Sequence, residues 1–261
     1  MNQEKIRNKV IEFSNKQAWN HMIELPYGIK TKSNHKNTPG DNIIKWRRMS
    51  FIHKYIKNRV IIDIGSNDGY FSTKFSELGA KKILGLDIDP IRIEKANFIK
   101  TAKKLKNVDF KNIDIFDKEC NLNNGQYNFV SCLGVLHRVS NPLDLLSTIS
   151  AFTTDILLLE FKYYQYDAFI ENVCWLEKQK SNENYQDFNL PYFRLSMSAV
   201  ETILKQSGFK YIYKIKDNQS RGFMVATKKS KLEIENLEIS FLKKLRLFIR
   251  LLKTMLKGLF S

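Results

Sequence analysis

The sequence predicts an α/β fold: a doubly wound sheet, mostly parallel, with an antiparallel hairpin at its C-terminal edge. Three observations carry this. Short, continuous apolar runs rich in β-branched residues recur from residue 59 onward, as strands buried on both faces require. Helix-length amphipathic stretches separate them, giving the strand–helix alternation of a parallel sheet. The last two runs, FKYIYKI and GFMVATKK, are joined by a short polar link containing DNQS, which suits a hairpin and is too short for a crossover.

The elements follow in order. Residues 1–45 read as a polar N-terminal arm and substrate-side cap, with one apolar-aromatic island, WNHMIELPYGI, and a turn-rich stretch, KTKSNHKNTPGDN. A helix is expected over 46–57, then a first strand, VIIDIG. YFSTKFSEL reads as a helix closed by Gly79, and KKILGLDI as a second strand. PIRIEKANFIKTAKKL is a helix with Pro90 in its first turn, where a missing N–H costs nothing. VDFKNIDI, YNFVSCLG and DILLLEF are further strands, with LDLLSTISAF as a helix between the last two. Ser198-Ala-Val-Glu201 reads as a capping box opening a helix that Gly208 ends. The core domain is thus placed at 46–229, with an aromatic lid insertion at 162–193 and a basic amphipathic helical tail at 230–261.

Composition narrows the class. A chain of 261 residues, 43% hydrophobic and 12% aromatic, can bury a real core, which excludes disordered and collagen-like chains. No apolar run approaches the ~18 residues that cross a bilayer, and the start, MNQEKIRNKV, has no secretory apolar stretch. Cys120, Cys132 and Cys174 are odd in number and lack metal-like spacing, so they read as reduced thiols of a cytoplasmic protein without a metal site.

In an open α/β sheet the ligand lies across the carboxyl ends of the strands, so those ends are where chemistry is expected. The first gives Asp63-Ile-Gly65-Ser66-Asn67-Asp-Gly69. Gly65 permits a sharp turn and close approach to a ligand, and Gly69 draws the next helix near. Neither the dinucleotide glycine motif nor a P-loop is present. The second strand ends in Asp87-Ile88, where an acid can accept from both ribose hydroxyls. The third ends in Asp114-Ile115, a carboxylate for an exocyclic amine beside an apolar wall. The fourth ends in Leu133-Gly134-Val-Leu-His137.

Turn, acid, acid and GVLH in this order resemble a class I S-adenosylmethionine-dependent methyltransferase, with a Rossmann-like fold, over about residues 59–229. The resemblance implies that Asp63, Gly65 and Gly69 surround the methionine portion of the cofactor, that Asp87 holds the ribose, and that Asp114 with Ile115 holds the adenine. Ser66, Asn67, Ile88, Leu133 and Gly134 complete the implied cofactor site. More narrowly, Trp19-Asn-His21-Met-Ile-Glu-Leu-Pro-Tyr-Gly28, Thr38-Pro-Gly, Lys45-Trp46, DIGSNDGYFS and GVLHRVSNPLDLL are similar to the branch of bacterial wobble-uridine tRNA carboxymethyltransferases and their short relatives. Those tRNA enzymes read GVLYH where this chain has Gly134-Val-Leu-His137-Arg138, so the tyrosine facing the carboxylate of carboxy-S-adenosylmethionine is replaced by His137. Arg221 is the matching position for the arginine that binds that carboxylate. The substitution, together with a much shorter N-terminal region, favours ordinary S-adenosylmethionine.

The resemblance makes the expected activity methyl transfer, with O-methylation of a small-molecule or glycan acceptor leading and a tRNA wobble base or a non-catalytic adaptor as alternatives. His137 and Glu160, at two strand ends, are the candidate bases. Trp19, His21, Trp46, Arg138, Tyr163 and Arg221 are the candidate acceptor contacts, under a lid whose aromatic faces suit sugar rings and unstacked bases alike. The formal charge of +16 fits nucleic acid, an anionic membrane, or a lysine-rich compositional habit. Residues 241–261 carry Lys243, Lys244, Arg246, Arg250, Lys253 and Lys257 with no acid, and an apolar stripe through Phe241, Leu245, Phe248, Leu252, Met255/Leu256 and Leu259. That pattern suits a helix lying on an anionic membrane surface.

Overall fold

The computed structural model describes residues 1–33, 41–117, 126–163, 172–177, 192–216 and 221–234. Most of the expected aromatic lid and all of the 241–261 tail lie outside the described residues. The elements are α1 (Gln3–Lys16), α2 (Asp41–Arg48), α3 (Ser50–His53), β1 (Val60–Ile64), α4 (Tyr70–Glu77), β2 (Lys82–Asp87), α5 (Pro90–Ala102), β3 (Val108–Asn112), β4 (Tyr127–Leu133), α6 (Pro142–Phe152), β5 (Thr153–Lys162), β6 (Cys174–Glu177), β7 (Tyr192–Leu195), α7 (Met197–Gln206), β8 (Tyr211–Lys216) and β9 (Arg221–Thr227).

Seven strands form one sheet in the order β3-β2-β1-β4-β5-β9-β8. The first five in that order are parallel, β9 runs antiparallel to β5, and β8 antiparallel to β9. The order reverses between β1 and β4, which creates the switch-point crevice at their carboxyl ends. The sheet is buried on both faces because alternate side chains feed two cores. Ile61, Ile83, Phe129 and Leu158 face the layer of α4 and α5, whereas Ile62, Val130, Cys132 and Leu159 face α6 and α7. The expected α/β fold with its antiparallel edge is therefore present.

Local chemistry starts the helices. Asp89 caps α5, its Oδ1 accepting from the Ile91 and Arg92 amides, with Pro90 following. Asn141 caps α6 and Pro142 follows. Three expectations shift. The helix expected over 46–57 begins at Asp41 and is interrupted at Met49, which separates α2 from α3. The cap of α7 is Ser196 and not Ser198, since Ser196 Oγ accepts from the Ala199 amide at 3.0 Å. β3 stops at Asn112, so Asp114 lies in the turn beyond the strand.

The arm is built into the fold. Ile6 and Phe13 of α1, then Trp19, Ile23 and Leu25, are buried in the α4/α5 core. Trp19 packs edge-on against Phe13 at 5.9 Å between ring centroids, and its Nε1–H donates to Ser14 Oγ. At the other end, residues 231–234 pack back on the sheet. Leu232 is buried, its amide donates to Tyr213 Oη, and that hydroxyl donates to the Leu232 carbonyl.

Candidate functional site

A cleft of about 320 Å³ opens across the carboxyl ends of β1, β2 and β4. Residues of the arm and of α2 roof it. Its floor begins at Gly65, whose φ of +70° and lack of a side chain are both required: a Cβ there would overlap Val135 Cγ2. Asn67 follows at φ +54° and also lines the cleft. Gly69, at φ +81°, starts α4, and a Cβ on it would stand 2.8 Å from Phe110.

Asp87 is buried at the end of β2, and each carboxylate oxygen takes one backbone amide: Asn67 N–H on Oδ2 at 2.9 Å and Asp89 N–H on Oδ1 at 3.0 Å. Burial pushes its carboxyl above the usual range, and Arg92 works against that. Ile113, Asp114, Ile115, Phe116 and the exposed Ile88 continue the wall, with Asp114 Oδ1 taking the Phe116 amide. Leu133 and Gly134 close the opposite wall. Asp63 and Ser66 sit beneath the glycine turn, outside the lining. Asp63 accepts from Ser72 Oγ at 2.6 Å, and the Ser66 amide donates to the Leu86 carbonyl.

The far end of the cleft is ionic. Glu160, buried at the end of β5, accepts from Lys45 of α2 at 3.2 Å and from Arg221 of β9 at 2.6 Å. Burial raises its carboxyl, but the two cations outweigh this and hold it below the usual value. Lys45, Arg138 and Arg221 all line the cleft. Lys45 also lies over the Phe71 ring at 5.8 Å.

Not every expected side chain reaches this cleft. His137 is buried below it, its Nδ1 accepting the Lys162 amide at 3.3 Å, and burial first, then Arg221, depresses its pKa well below the usual imidazole value. Trp19 is core. Trp46 stacks on His53 at 4.0 Å and meets Phe75 edge-on. Tyr163 is buried beside Gly222. Of the six expected acceptor contacts, His21, Arg138 and Arg221 line the cleft, and Trp19, Trp46 and Tyr163 do not. The first two of these are drawn inward because the arm and α2 pack on the sheet.

Asp68, inside the glycine turn, is a functional residue that the sequence pattern does not mark. It is fully buried and holds the arm: its Oδ2 accepts the Asn20 and His21 amides at 3.0 and 2.9 Å, and its Oδ1 pairs with His21 Nδ1. Burial alone would raise its carboxyl. The His21 charge and the bonds from His21 and Asn20 reverse this and hold it below the usual value. Lys95, almost wholly buried on α5, donates to the Gln17 and Ala18 carbonyls, and Gln17 donates to Asp89. Asp68 stands between the glycines of the D-x-G-x-x-x-G turn at a position the motif does not specify, and Lys95 reads as a solvated helix residue, so neither carries a signal in the sequence.

The fit to an adenosyl sulfonium rests on these features. Gly65, without a side chain, and Asn67 bring the backbone of the turn to the cleft wall, and the buried Asp87 beside them keeps accepting capacity beyond its two amide bonds. Among the described residues no group of three or more His, Cys, Asp or Glu could hold a metal ion.

Comparison with known proteins agrees. A methyltransferase domain family matches residues 43–214. Among curated proteins, the tRNA U34 carboxymethyltransferases of Nautilia profundicola and Campylobacter jejuni are 28% and 23% identical over 119 and 180 residues, covering 44% and 67% of this chain. The chain spans only 37% and 57% of their respective lengths. Among solved structures, the N-terminal domain of EvdMO1 with SAH bound superposes with a TM-score of 0.70 at 18% identity, over 88% of this chain and 98% of that one. An S-adenosylmethionine-dependent methyltransferase from Mesorhizobium loti gives 0.55 at 15% identity, over 72% and 99%. These two share the fold. The family match runs through β1 to β5 and every helix between them, and on that ground the chain belongs to the methyltransferase-domain family, the S-adenosylmethionine-dependent methyltransferases.

Proposed function

We propose that this chain transfers a methyl group from S-adenosylmethionine to a hydroxyl of a small-molecule or glycan acceptor. The observation that carries the reading is the Lys45–Glu160–Arg221 triplet at the end of the cleft away from Asp87. Asp87 would take the ribose, Ile113, Ile115 and Phe116 the adenine side, and Gly65 with Asn67 the amino-acid portion. When bound, the cofactor supplies an electrophilic methyl group, whose in-line transfer depends mainly on positioning. Lys45 and Arg221 then put net positive charge beside the acceptor oxygen, which lowers that hydroxyl's pKa, and its proton passes to solvent water as the oxygen takes the methyl group. Glu160 fixes both cations and, being held ionised by them, is a poor base. His137 shapes the floor beneath. A sugar acceptor gains support from the EvdMO1 domain, which was also solved in the presence of SAH and D-fucose and overlaps 88% of this chain.

The second reading, modification of a tRNA wobble uridine, is favoured by the names of the curated relatives. Glu160 weighs against a carboxylated cofactor, because its own carboxylate already occupies Lys45 and Arg221. Incubation of the protein with methyl-labelled S-adenosylmethionine and separate small-molecule, lipid-linked glycan and tRNA fractions tests the choice. Label in the first two is expected, and label confined to tRNA overturns the hydroxyl reading.

A further inference from the structure

Half-buried His21 and fully buried Asp68 form a pair that the acceptor chemistry does not use. We infer that His21, fixed by Asp68, is the cofactor's carboxylate ligand: its ring, through Nε2, binds the carboxylate of the amino-acid end of S-adenosylmethionine. The inference rests on the cofactor reading of the cleft and adds a partner for the charged group that the glycine turn leaves uncompensated.

The placement argues for this. With the nucleoside at Asp87 and the acceptor at the Lys45–Glu160–Arg221 end, the amino-acid end falls over Gly65 and Asn67. His21, Asn20 and Phe71 line the cleft beside that turn. An anion there needs a cation, and among those lining residues His21 is the one able to carry positive charge. The other cations lie elsewhere along the cleft: Arg92 pairs with Asp87 and Asp89 at the nucleoside end, and Lys45 and Arg221 pair with Glu160 at the acceptor end. The ring is oriented for the task. Nδ1 is tied to Asp68 Oδ1, while Tyr70 and Phe71 hold the ring plane at centroid distances of 5.6 Å each. Among the described residues nothing bonds Nε2. Asp68 is in turn fixed by two arm amides, and its own N–H donates to Asn67 Oδ1 at 2.8 Å. Asn67 N–H then reaches Asp87. The carboxylate ligand and the ribose acid thus belong to one hydrogen-bonded chain, in which Asp68 is a positioning residue.

Calorimetric titration of the full chain with two probes tests the assignment: S-adenosylhomocysteine, and its decarboxylated analogue, which keeps the amine and the nucleoside. Wild-type protein should prefer the first. His21→Gln should cost about tenfold in affinity for it, the scale of one charge-assisted hydrogen bond, and leave the analogue within about twofold. Asp68→Asn should act in the same selective way, which a merely structural loss would not. An equal loss for both probes, or no loss for either, overturns the assignment. Failure of the wild type to bind both overturns the cofactor reading itself, and with it this one.

Discussion

Asp63 illustrates what a single buried charge does to the whole. Burial pushes its carboxyl up to about 6 from an ordinary 3.8, against a hydrogen bond from Ser72. The folded chain therefore holds that proton more tightly than the unfolded one, so this group's contribution to stability grows as pH falls from about 6 toward 3.8 and is a cost of ~3 kcal/mol above that window. Asp63→Asn should raise the midpoint of chemical unfolding at neutral pH and remove the wild-type slope between those values. His137 acts oppositely, its depressed pKa lowering stability below about 6.5, so the difference between variant and wild type at each pH is the quantity to measure. An Asp63→Asn protein no more stable than wild type at neutral pH would show that the ionised carboxylate is needed beneath the glycine turn. Asp63, Gly65, Gly69 and Asp87 were legible in the sequence because turn chemistry is local. Glu160 was visible only as a strand-end acid: its partner Lys45 lies 115 residues away, and the arm amides bonded by Asp68 lie 47 and 48 residues away.

At the scale of the element, Ser196 ties two pieces together. Its Oγ caps α7 through the Ala199 amide and also accepts the Val173 amide at 3.1 Å, which anchors the start of β6 beside the helix. Ser196→Ala should lose about 1–2 kcal/mol, near the top of the range for a lost cap, because two donors are orphaned at once. The measure is the denaturant midpoint, with Ser198→Ala as comparison: Ser198 Oγ accepts the Asn172 amide and bonds Ser196 Oγ but caps nothing, so its loss should be the smaller of the two, and a negligible loss in Ser196→Ala would remove the cap assignment. The seven strands of the main sheet and α4 to α7 were readable from periodicity and capping residues, whereas β6 and β7, within and at the end of the stretch read as a lid, were not. Nor was their pairing, since β7 begins fifteen residues after β6 ends and its register is set by tertiary contact. The same holds for α1, where a polar sequence hides two buried positions, Ile6 and Phe13, seven residues apart on one face.

At the scale of the whole molecule, the charge of +16 is not spread evenly. Residues 241–261 hold six cations and no acid. Among the described residues the C-terminal segment meets the core at Leu232 and Ile234, both buried, with Tyr213 bonded to the Leu232 backbone and Tyr55 Oη accepting the Glu233 amide. A chain ending at residue 240 keeps all of these. Juxtamembrane cations contribute about 1 kcal/mol each at an anionic surface, and that attraction fades within a Debye length as salt rises. Full-length protein should therefore sediment with vesicles containing phosphatidylglycerol and be released by high salt, while the 1–240 chain stays in the supernatant with an unchanged unfolding midpoint. Replacing Lys243, Lys244 and Arg246 by Glu should weaken the binding without shortening the apolar stripe. Equal sedimentation of both chain lengths would move the membrane contact, and with it the argument for a lipid-linked acceptor, onto the domain itself.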